Sequence, residues 1–64
     1  MRLTELWTRL EQHLGSAYAH SWARDHVISG LGSQTVEEAI ADGIDTVDIW
    51  RAVHLELALP ARDR

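Results

Sequence analysis

Asp25, His26 and Ser29 bring the three side-chain types of an acyl-transfer relay together within five residues. Such a relay needs a nucleophile, a base that takes its proton, and an acid that orients the base. On a helix His26 and Ser29 are i,i+3 and share a face, but Asp25 points about 100° away and cannot orient the imidazole next to it. The chain also lacks the Gly-x-Ser-x-Gly elbow that exposes a serine nucleophile. The plainer reading has Asp25 or Ser29 hydrogen-bonding backbone amides near the glycines that follow, with His26 over Trp22 one turn earlier. Four histidines, His13, His20, His26 and His54, are the other groups with chemistry to offer. No pair of them has the i,i+4 spacing of a helical metal site, and no cysteine supports them. Gly30-Leu31-Gly32-Ser33 is too short for a phosphate loop and lacks its lysine, so it reads as a helix terminator. The sequence therefore assigns no catalytic residue, no metal ligand and no cofactor, and the expectation is that this is not an enzyme.

A second constellation concerns nucleic acid. Ala39, Gly43 and Ile49 match the Ala-x₃-Gly-x₅-Ile spacing of many helix-turn-helix readers, in which a small residue lets helices cross and glycine makes the turn. Ile44 suits the pattern; Glu38 and Asp42 do not, because those places usually hold apolar residues. The recognition helix would open on Asp45-Thr46-Val47-Asp48, and two carboxylates facing phosphates are unfavourable. The charge distribution agrees. The net charge is −4. Residues 25–57 set Asp25, Glu37, Glu38, Asp42, Asp45, Asp48 and Glu56 against Arg51 alone, while residues 1–24 and 58–64 are each slightly basic. The acidic back half disfavours nucleic acid as a partner without removing it as the alternative function.

These residues need elements to position them. Thr4 is placed to cap a first helix from Glu5, with Leu3, Leu6, Trp7, Leu10 and Leu14 at spacings of three and four, and Gly15 to stop it. Ser16 then caps a second helix over about residues 17–28, with Tyr18, Trp22 and Val27 inward and Ala19 and Ala23 allowing close approach. Asp25, His26, Gly30, Leu31, Gly32, Thr35 and Glu38 form the corner joining the two halves. Both glycines are expected in backbone conformations closed to other residues, with Leu31 a buried peg between them. Thr35 and Glu38 make a capping box for a short third helix that buries Val36, Ala39 and Ile40 and ends at Gly43. Asp45 caps a fourth helix, among the longest, which buries Ile49, Trp50, Val53 and Leu57 and stops before Pro60. Ile44 is placed to staple against Ile49. The expected fold is all-α, a compact bundle of four short helices with a helix-turn-helix-like second half. It forms one domain over residues 1–64, of which 60–64 make a loose tail.

The pattern Met1-Arg2-Leu3-Thr4-Glu5, Trp7, Ala23-Arg24-Asp25-His26-Val27, Ser29-Gly30-Leu31-Gly32, Thr35-Val36, Glu38-Ala39, Gly43 and Trp50-Arg51-Ala52-Val53 resembles the small actinobacterial family called domain of unknown function 3046. The resemblance covers almost the whole chain. It implies a short all-helical bacterial protein with no assigned activity, often encoded near recombination genes. Thr46 stands where many relatives have proline and His54 where many have cysteine, so the resemblance carries no redox or metal role to His54.

Sixty-four residues with no cysteine must hold together by packing, and three tryptophans and one tyrosine supply large surfaces for it. Core use is the default for all of them, although Trp7 or Trp50 is a candidate for partial exposure to a partner. The run from Val53 to Leu59 is apolar on more than one side of its helix, which makes Trp50, His54, Leu55, Leu57 and Leu59 a candidate partner surface. No secretory signal and no apolar run of about 20 residues is visible. The expectation is a non-catalytic cytoplasmic interaction or regulatory protein, a monomer or weak homodimer, with a protein partner and no membrane association.

Overall fold

Helix α1 spans Leu3–Leu14 in the computed structural model, which describes residues 1–59. It begins two residues before the expected start, with Arg2 as the N-cap and no side-chain cap. Thr4 is drawn into the helix, where its carbonyl accepts from Thr8 Oγ1 at 2.9 Å. Met1, one residue ahead of the N-cap, is held from outside, because Thr46 Oγ1 donates to its carbonyl. Leu6 and Leu10 are wholly buried, and Trp7 and Leu14 pack beside them. Gly15 ends the helix with φ +87 and is the whole connection to α2, Ser16–Asp25. The second helix thus starts at Ser16 itself, with no side chain capping it. Its buried stripe is Ala19, Trp22 and Ala23, spaced i, i+3, i+4, and the two alanines let α1 approach closely. Tyr18 lies off that stripe and is 57% exposed, contrary to the inward placement expected of it.

Helix α2 ends at Asp25, three residues sooner than the periodicity predicts, because the β-branched pair Val27-Ile28 goes into extended chain. Ile28 N donates to the Gln34 carbonyl at 3.0 Å in an isolated antiparallel bridge. Neighbours on extended chain face opposite ways. Ile28 is completely buried, so Val27 points outward and is 54% exposed. A single 3₁₀ turn, Ser29–Leu31, follows and packs against the fourth helix, with Leu31 buried as the expected peg.

The two glycines of this turn do different jobs. Gly32 is left-handed at φ +70. Gly30 is not in that region; a Cβ there would lie 3.3 Å from the Ala52 Cβ, so its role is close approach to the fourth helix. Two substitutions separate these roles. Gly32→Ala is expected to cost about 1–2 kcal/mol through backbone strain alone. Gly30→Val is expected to cost about 1–3 kcal/mol through crowding. A double-mutant cycle with Ala52→Gly, followed by chemical denaturation, should show coupling for Gly30→Val and none for Gly32→Ala.

Helix α3, Val36–Ala41, starts at a complete capping box. Thr35 Oγ1 accepts from Glu38 N at 3.1 Å, and Glu38 Oε1 accepts from Thr35 N at 2.9 Å. Thr35 is buried. Thr35→Ala is expected to lower stability by about 1 kcal/mol, read as a reduced denaturation midpoint at unchanged slope. Gly43, at φ +81, closes the helix: its N–H reaches the Ile40 carbonyl and the Ile44 N–H reaches the Ala39 carbonyl, the paired bonds of a Schellman ending. Asp45 then caps α4, Thr46–Glu56, its Oδ1 accepting from Val47 N at 3.0 Å.

Helix α4 buries Ile49, Trp50 and Val53. It stops at Glu56, before Pro60, by the same paired bonds, from Ala58 N to the Leu55 carbonyl and from Leu59 N to the His54 carbonyl, with Ala58 at φ +53. That reversal folds Leu57 and Leu59 onto the core. The expected tail at 60–64 lies outside the described residues. The four helices close on one core, α1 against α2 and α4, and α3 against α2 and α4. No strand occurs among the described residues.

Candidate functional site

Each of the four histidines sits against an indole. His20 stacks on Trp7 with centroids 4.6 Å apart and rings 14° from parallel, while its Nε2 lies 3.2 Å from Glu11 Oε2. His26 stacks on Trp22 at 4.8 Å and 13°, and its Nε2 lies 3.0 Å from Glu56 Oε2. A carboxylate only accepts, so the ring nitrogen in each pair carries the proton. The first arrangement ties α1 to α2, and the second ties the end of α2 to the end of α4. His13 and His54 lie 5.7 Å and 6.5 Å from the Trp50 ring. Among the described residues no three of His, Asp and Glu gather where they could hold a metal ion.

The Asp25-His26-Ser29 constellation does not assemble. The helix that would have put His26 and Ser29 on one face ends at Asp25. Asp25 Oδ1 accepts from the Arg24 Nε at 3.3 Å, and His26 donates to a carboxylate thirty residues away. The expected position of His26 over Trp22 is the arrangement found. Tyr18, Ser21, Trp22, Asp25 and His26 line an open cleft of about 280 Å³ along the outer side of α2.

A second concavity lies where α1 meets α4. Met1, Arg9, Val47, Trp50 and Arg51 line about 310 Å³, and the lining is mostly apolar apart from the two arginines. Arg9 and His13 are one turn apart on α1, and both face the Trp50 indole; the Arg9 guanidinium carbon is 5.7 Å from that ring's centroid. A cation over an indole face is held by the ring quadrupole, which fixes the charge at the rim of the groove. Trp50 itself is only 2% exposed, so it forms the floor. Its Nε1 is buried with no hydrogen-bond partner among the described residues.

This geometry redraws the surface expected on α4. Trp50 is buried, Leu57 and Leu59 pack on the core, and His54 is half-buried beside Trp50; Leu55, 77% exposed, is the large apolar side chain left facing out. Sequence reasoning missed Arg9, Val47 and Met1 as lining residues. The available signal was the i,i+4 pair Arg9 and His13, flanking the Leu6–Leu10 stripe, but its meeting with Trp50 depends on how α1 and α4 pack.

The family described as "Protein of unknown function (DUF3046)" matches residues 1–62. The chain belongs to that family. No curated protein and no solved structure matches it. Within this DUF3046 chain the family match takes in both helices of the α1–α4 groove, the corner with its capping box, and both histidine–indole stacks.

Proposed function

We propose that this chain is a non-catalytic, cytoplasmic interaction module that docks a partner protein in the groove between α1 and α4. The observation that carries this reading is the groove itself: an apolar concavity with an indole floor and an arginine on each helix bordering it. Tryptophan and arginine are the residues on which binding energy concentrates at protein interfaces. The imidazoles that chemistry would need are committed to carboxylates and indoles that tie helices together. No helix among the described residues is long and apolar enough to cross a membrane.

One observation favours a second reading, nucleic-acid binding through α3 and α4. The joint between them is closed by Gly43 and restarted by Asp45, which suits two helices set at an angle across a short turn. Asp45 and Asp48 in the first turn of α4 oppose phosphate and make this the weaker of the two.

A photo-crosslinking amino acid at Val47, compared with one at Arg24 on α2, tests the proposal in cells. The expected result is a discrete protein adduct from position 47 and not from position 24. The same adducts from both positions, or adducts to nucleic acid alone, would overturn it. A gel shift that weakens steeply with salt would move the weight to the second reading.

A further inference from the structure

We propose that the segment entering the α1–α4 groove is acidic and anchored by one large apolar side chain, with carboxylates on either side of the anchor meeting Arg9 and Arg51. The inference rests on the docking reading and names the partner's chemistry. About 310 Å³ bounded by Met1, Val47 and Trp50 suits a single leucine or phenylalanine side chain rather than an extended apolar face. The two guanidinium groups stand at the rim, one contributed by each helix. Their present carboxylate partners hold them weakly, although the Trp50 indole also lies against Arg9. Arg9 makes one contact of 3.3 Å with Glu5, and Arg51 lies 3.8 Å from Asp48 with its side chain 73% exposed. Exposed pairs of this kind exchange readily for a better acceptor. A guanidinium offers two parallel N–H donors that match a carboxylate, so a partner's aspartate or glutamate can displace a monodentate neighbour.

Fluorescence anisotropy with the full chain and three labelled peptides tests this. The first probe carries a central phenylalanine between pairs of glutamates, the second replaces the phenylalanine with alanine, and the third replaces the glutamates with lysines. Saturable binding of the first is expected, with affinity roughly tenfold weaker for each of the others. Arg51→Glu should weaken the first probe by about tenfold as well, and the exposure of that side chain keeps the fold intact. Equal binding of the glutamate and lysine probes, indifference to Arg51→Glu, or no saturable binding of the first probe would overturn the inference. If Val47 crosslinks a partner protein while the acidic probe does not bind, the partner chemistry proposed here fails and the docking reading stands. If position 47 yields no specific adduct, the docking reading fails as well.

Discussion

Trp50→Ala is expected to destabilise the domain by about 3–5 kcal/mol, comparable to the whole stability of many chains this size. The indole is 2% exposed, and it joins α4 to α1 through Arg9 and His13. Truncation would remove the floor of the groove and leave a hollow bordered by side chains of both helices. Trp50→Phe is the control. It shrinks the ring but also deletes a buried N–H that has no acceptor among the described residues, a group whose burial costs about 1–3 kcal/mol. The two changes offset, so the phenylalanine variant should lie within about 1.5 kcal/mol of the parent. Urea denaturation followed by circular dichroism distinguishes the two variants. An alanine variant as stable as the parent would show that the α1–α4 contact is not part of the core.

Ile28→Ala is expected to cost about 2–5 kcal/mol although the residue lies outside every helix. Ile28 is completely buried, and its N–H is paired to Gln34 across the turn that carries Gly30, Leu31 and Gly32. Losing the side chain empties the place where that turn meets the rest of the core. Val27→Ala, one residue earlier and 54% exposed, is expected to change stability by no more than about 0.5 kcal/mol. The contrast between neighbours tests the extended geometry directly, since a helix through this stretch would not set the two side chains on opposite sides.

That pair also shows where the sequence could be read and where it could not. The capping box at Thr35 and Glu38, the glycine ending at Gly43 and the cap at Asp45 are local devices whose partners lie within two to five residues, and each is legible in the sequence. The extended path of Val27 and Ile28 depends on Gln34 across the turn, so helical periodicity ran on three residues too far. Tyr18 stands four residues before Trp22, a spacing that puts both on one helix face, yet the stripe that is buried is Ala19, Trp22 and Ala23, where the small side chains let α1 come close. The tie from Thr46 to the Met1 carbonyl ahead of α1 spans forty-five residues, and no local spacing announces it. The groove is the extreme case. Arg9 and Arg51 border one groove only because two helices from opposite ends of the chain pack together, and no spacing along the sequence encodes that arrangement.

The histidine–indole stacks belong to the same lesson. Trp22 and His26 are i,i+4, and their contact was visible in advance. The contact of His20 with Trp7 and Glu11 needed the one-residue Gly15 connection to fold α2 back on α1. Both stacks supply aromatic contact worth about 0.5–1.5 kcal/mol beyond area in a domain that has no disulfide to help it. They account for His20 and His26 without assigning them to chemistry.

The most direct test of the account is a ¹H–¹⁵N NMR titration of the whole chain with the acidic, phenylalanine-centred peptide. Shifts confined to the amides of Arg9, Val47 and Arg51 and to the Trp50 indole are predicted. Shifts centred instead on the Tyr18–His26 cleft or on the joint between α3 and α4, with those four signals unmoved, would contradict it.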